Sequence, residues 1–116
     1  MSTGRIQEKF AAIKQEGRTG LVVFLTAGFP DRQATLELVP ELVAAGADLV
    51  ELGVPFSDPL AEGPTIQESS FRALQEQVSL GDCVRMVEEL RGQLPDTPLI
   101  LMGYYNPVYR YGLAPF

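Results

Sequence analysis

Apolar residues along the chain recur at two spacings, one helical and one strand-like, in alternation. Ile6, Phe10 and Ile13 fall at helical intervals among polar residues, which predicts an amphipathic helix over 4–16 closed by Gly17. The stretch LVVFLTAG, 21–28, is short, β-branched and apolar on both faces, as a buried parallel strand is. FPDRQATLELVPELVAAGAD then restarts the helical pattern, with Asp31 as N-cap, Leu36, Val39 and Val43 on one face, and Gly46 as the stop. Pro40 should kink that helix or mark a tighter turn. DLVEL, 48–52, and TPLILMGYY, 97–105, predict a second and a third strand. Between them lie helices over 65–76 and 80–92, the second opened by Ser79 with Asp82 three residues on, a capping-box pattern.

The element order is therefore α, β, α, β, α, α, β. A parallel strand pair needs a crossover, and the crossover is usually a helix, so this alternation predicts βαβ units and a parallel sheet. No repeat, low-complexity segment or linker divides residues 1–116, which read as one domain.

Composition narrows the function classes. The chain is 46 % hydrophobic, a globular balance, and its fifteen acidic against nine basic residues give a net charge of -6 without a basic cluster. A nucleic-acid partner is disfavoured. No apolar run reaches the roughly 20 residues that span a bilayer, and MSTGRIQEKF has no signal-peptide core, so no membrane role and a cytoplasmic location are expected. Cys83 is the single cysteine and there is no histidine. The usual histidine dyads and triads and the common zinc sites are excluded, and no metal is expected. Chemistry must come from carboxylates, tyrosines, hydroxyls or backbone groups.

In parallel α/β folds, ligands bind in the loops beyond the carboxyl ends of the strands. Glu51 stands at such an end, sharing a strand face with Leu49 and Gly53 while Val50 and Leu52 face the other way. A carboxylate buried on an apolar strand is costly unless paired or protonated, which suits proton transfer. It could equally cap a helix or pair with an arginine at the sheet rim. The loop that follows, GVPFSDPLAEGP, holds three prolines and two glycines around polar groups, and long loops at this end tend to be functional. Glu62 could return from its far end to face Glu51, or stand as a solvated carboxylate before the helix near Pro64.

DLVELGVPFSDPLAEGPTIQ resembles the signature segment of the tryptophan synthase α chain family, and GLVVFLTAGFPD, AAGAD and LMGYYNPVYRYG resemble its flanking segments in the same order. The resemblance covers essentially the whole chain. It implies the amino-terminal part, about three βα units, of a (β/α)8 TIM barrel, and a lyase of tryptophan biosynthesis that cleaves indole-3-glycerol phosphate to indole and glyceraldehyde 3-phosphate by a retro-aldol step. It further implies an α2β2 heterotetramer with the β chain, which receives the indole, and no cofactor in this chain, pyridoxal phosphate belonging to the partner.

By the same resemblance, Glu51 is the catalytic acid and base that protonates indole C3. Glu62 falls where the family usually has an aspartate that accepts the indole N–H, LADGP there being LAEGP here. The extra methylene requires the carboxylate to retract or the loop to shift. Phe24, Met102 and Tyr104 match substrate-pocket positions, although Phe24 and Met102 also suit a barrel core. Pro55, Phe56 and Asp58, with Asn106 and Pro107 in the next loop, match the surface that meets the β chain, and an exposed Phe56 among prolines fits an interface. Cys83, flanked by Val84 and Val87, fits packing. A Schiff-base aldolase is disfavoured, since Lys9 and Lys14 are the only lysines and both lie in the first helix.

A closed barrel takes about 250 residues, and three parallel strands cannot close. The glycine-rich phosphate loops of the family have no counterpart in this sequence. The expectation is the amino-terminal portion of a longer α chain, inactive as the 116-residue piece. The competing reading is a non-catalytic partial-barrel module that self-associates or binds the β chain; a different TIM-barrel enzyme is a third.

Overall fold

The computed structural model describes residues 4–116. In chain order the elements are α1 (Arg5–Glu16), β1 (Val22–Thr26), α2 (Arg32–Ala44), β2 (Leu49–Gly53), α3 (Pro64–Gln75), α4 (Leu80–Gln93), β3 (Leu99–Met102) and α5 (Tyr105–Tyr111). The strands form one parallel sheet in the order β1-β2-β3. This is the alternation that the hydrophobic pattern predicts, an open partial barrel.

Register decides what each face carries, because partnered residues in a parallel sheet point the same way. Val23, Val50 and Leu99 form one row of the outer face, and Leu25, Leu52 and Leu101 the next. This face packs into the core with Val39 of α2 and Cys83, Met86 and Leu90 of α4; Val50, Leu52, Val39 and Leu90 are fully buried. Burial raises the Cys83 thiol pKa to about 12, consistent with packing. On the inner face, Phe24, Glu51 and Ile100 form one row and Thr26, Gly53 and Met102 the row nearer the carboxyl ends. Phe24 remains 36 % exposed there, whereas Leu49 on the same face is buried.

Several boundaries differ from the predicted ones for local reasons. β1 ends at Thr26 because Gly28 turns the chain at φ +84° and its N–H donates to Thr35 Oγ. A side chain at 28 would also collide with the Val78 side chain. α2 runs unbroken through Pro40, and Gly46 at φ +120° follows its last turn. β3 is only four residues long. Tyr104 lies beyond it as the residue capping α5, and Asn106 and Pro107 belong to the first turn of α5 and not to a loop. Proline is tolerated there because the first helical turn has no use for its N–H.

Candidate active site

Glu51 is in the middle of the central strand, with Phe24 and Ile100 as its lateral neighbours. The period-two alternation that puts Val50 and Leu52 into the core turns Glu51 to the inner face. It is half-buried on an open three-stranded sheet. Two positions further on, Gly53 leaves room for the Phe24 ring: a side chain at 53 would place its first carbon 2.5 Å from Phe24 Cζ. The ring thus leans from its own row toward the carboxyl end of β2. Met102 is the register partner of Gly53, so Phe24, Glu51, Gly53 and Met102 form one contiguous patch. Gly53 was recognisable in the sequence only as a strand glycine, a type that often marks a close approach.

Glu62 lies half-buried just before Gly63, the N-cap of α3, whose first residue is Pro64. Its position is fixed through the backbone: its N–H donates to the Pro59 carbonyl at 3.0 Å and its carbonyl accepts from Gln67 Nε2 at 2.9 Å. No hydrogen bond joins it to Glu51 among the described residues. Tyr104 does not hang free in the pocket. Its ring stacks on Phe56 with centroids 5.1 Å apart, and its hydroxyl accepts the Ala61 N–H at 3.0 Å. That stacking is why Phe56 is half-buried where the sequence suggests exposure.

Of the five candidate interface residues, Pro55, Phe56 and Pro107 line one cavity of about 460 Å³ together with Leu80, Arg85 and Tyr111. Pro55 is buried, whereas Asp58 and Asn106 are exposed and outside this cavity. Glu51 and Glu62 do not line it. No group of three or more metal-ligating side chains occurs among the described residues, and no helix among them is long and apolar enough to cross a membrane.

Two further clusters brace this end of the fold. Arg32, at the start of α2, donates to the Glu76 and Gln77 carbonyls beyond α3 and to the Asp82 carboxylate in α4. Burial works to raise the Asp82 pKa, but the Ser79 N–H, Arg32 and Arg85 outweigh it and hold the carboxyl well below its ordinary range. Thr26, at the end of β1, shares a buried 2.6 Å hydrogen bond with Ser69 of α3. Neither link was visible in sequence, because the partners are over forty residues apart.

A family model described as tryptophan synthase alpha chain matches residues 10–116. The chain belongs to the tryptophan synthase alpha chain family. It is 57 % identical over 109 residues to the alpha chain of Chloroflexus aggregans, covering 94 % of this chain and 41 % of that one. With the alpha chain of Granulibacter bethesdensis it shares 54 % over 108 residues, covering 93 % and 39 %. The crystal structure of tryptophan synthase subunit alpha from Legionella pneumophila str. Paris superposes with a TM-score of 0.93 at 42 % identity, over 96 % of this chain and 42 % of that one. The chain therefore spans about two fifths of the length of the curated alpha chains it matches. The sequence-based expectation of an amino-terminal partial barrel agrees with this alignment.

Proposed function

We propose that this chain is a partial-barrel module of the tryptophan synthase alpha type, not a lyase by itself. In this reading it covers its inner sheet face by self-association or by binding a tryptophan synthase β chain. The observation that carries the reading is the row Phe24, Glu51, Ile100, whose members are exposed or half-buried on the inner face of an open three-stranded parallel sheet. A carboxylate that is only half-buried lacks the dry, fixed environment that makes acid–base catalysis effective.

Within a completed barrel, the same residues would do the chemistry of the alpha reaction. Glu51 would deliver a proton to indole C3 of indole-3-glycerol phosphate, and Glu62 would accept the N–H that becomes acidic in the resulting indoleninium. The glycerol hydroxyl would pass its proton back to Glu51 as the carbon–carbon bond breaks, the bond's electron pair returning to the indole ring and the aldehyde forming. Phe24 and Tyr104 would flank the ring with Met102 beside it, and Pro55, Phe56, Asp58, Asn106 and Pro107 would lie toward the β chain. This second reading is favoured by the placement of Glu51 on the central strand with Phe24 beside it.

The deciding experiment is indole release from indole-3-glycerol phosphate by the purified chain, alone and mixed with β chain. The module reading expects no release above background from the chain alone. A clear rate that Glu51→Gln abolishes, with the far-ultraviolet spectrum unchanged, would replace it by the lyase reading.

A further inference from the structure

The loop from Val54 to Gly63 is gripped at two points by one side chain. Tyr104, just beyond β3 as the residue capping α5, stacks its ring on Phe56 near the start of the loop and takes the Ala61 N–H on its hydroxyl near the end. The tip between these grips is solvent-facing, with Ser57 and Asp58 exposed and Leu60 88 % exposed. Ala61 immediately precedes Glu62. On its other side Glu62 is tied to α3 by Gln67, and α3 is bolted to β1 by the Ser69–Thr26 hydrogen bond. Glu62 is thus suspended between an anchor just beyond β3 and an anchor on β1. Glu51 stands on β2, the strand between them.

We propose that Tyr104 is a positioning residue for Glu62: by holding Phe56 and the Ala61 N–H together, it sets where the Glu62 carboxylate stands relative to Glu51. The role rests on the reading that both carboxylates serve one site, and it is separate from any contact of the Tyr104 ring with substrate. Its purpose is accuracy. A carboxylate one methylene longer than aspartate has an additional torsion to fix, and a misplacement of about 1 Å can cost roughly a hundredfold in rate. A backbone held at residue 61 removes freedom from residue 62 without touching its charge.

The test is amide-resolved nuclear magnetic resonance on the nitrogen-15-labelled chain and its Tyr104→Phe and Tyr104→Leu variants. Tyr104→Phe keeps the stacking ring and removes only the acceptor. The Ala61 amide should move upfield and exchange about tenfold faster, the worth of one hydrogen bond. The change should stay within residues 57–63 and leave the amides of Val50 and Leu52 in place. Tyr104→Leu should extend the change to Phe56. An Ala61 amide unmoved in Tyr104→Phe overturns the proposal, and so does a Glu62 side-chain carboxylate carbon signal, read on the carbon-13-labelled chain, that stays where it was when the Ala61 amide moves. So does a loss of sheet amides in that variant, which would make Tyr104 a packing residue. The two-carboxylate reading fails on a different result, unchanged indole release on Glu62→Gln in a barrel-completing complex, and that result leaves the Ala61 measurement standing.

Discussion

At the scale of single residues, Asp48 shows how one buried carboxylate can set the acid limit of the fold. It accepts from Arg18 Nη1 and Nη2 at 3.0 and 2.7 Å and from the Leu21 N–H at 2.8 Å. The Arg18 bonds first, then the Leu21 N–H, lower its pKa from 3.8 to about 2. A depressed carboxylate contributes stability that is present above its unfolded pKa and is lost as pH falls through the folded one. The urea midpoint should therefore fall between about pH 4 and about pH 2. Asp48→Asn should start lower at neutral pH and show a shallower fall in that window, with the Asp82 contribution common to both proteins. Equal slopes would remove Asp48 from the account. The face of Glu51 was legible from alternation alone, whereas the Arg18–Asp48 pair was not, its members being 30 positions apart.

At the scale of elements, what could be read depended on whether a signal was local. The α4 capping box is complete: the Ser79 hydroxyl accepts the Asp82 N–H and the Asp82 carboxylate accepts the Ser79 N–H, as the S-x-x-D spacing predicts. The Asp31 cap on α2 is likewise present, accepting from the Ala34 N–H. α5 escaped notice because its first turn contains Pro107, and a proline soon after an apolar run reads as a turn. The attachment of α3 to β1 through Ser69 and Thr26 is a tertiary event. Ser69→Ala would leave the hydroxyl of the buried Thr26 without this partner. The expected cost is about 1–3 kcal/mol, read as a lower urea midpoint at unchanged slope. An unchanged midpoint would show that α3 is held by other contacts.

At the scale of the molecule, the sheet has two open edges among the described residues, β1 and β3, and an inner face on which Val22 is 45 % and Phe24 36 % exposed. Unpaired strand edges recruit further strands, and apolar faces recruit cover. If self-association supplies that cover, sedimentation should give a mass that rises above 12.7 kDa with concentration, and the urea midpoint should rise with it by mass action. A monomer with a concentration-independent midpoint would leave the β chain as the partner to test. Val22→Lys, placing a charge on the edge strand, should weaken any self-association without disturbing the outer-face core.

The sequence by itself determined the order of elements up to β3, the parallel sheet, the two capped helices and the turning of Glu51 away from the core, because each follows from a period or a spacing within a few residues. Its motif also carried the family resemblance and, with it, the candidate pair Glu51 and Glu62. Only the tertiary structure decided that Tyr104 grips the loop before Glu62, that Gly53 yields space to Phe24, and that α3 is fastened to β1. Those outcomes depend on groups brought together from distant parts of the chain. Their energies exist only once the sheet has set the distances, and no local pattern encodes them.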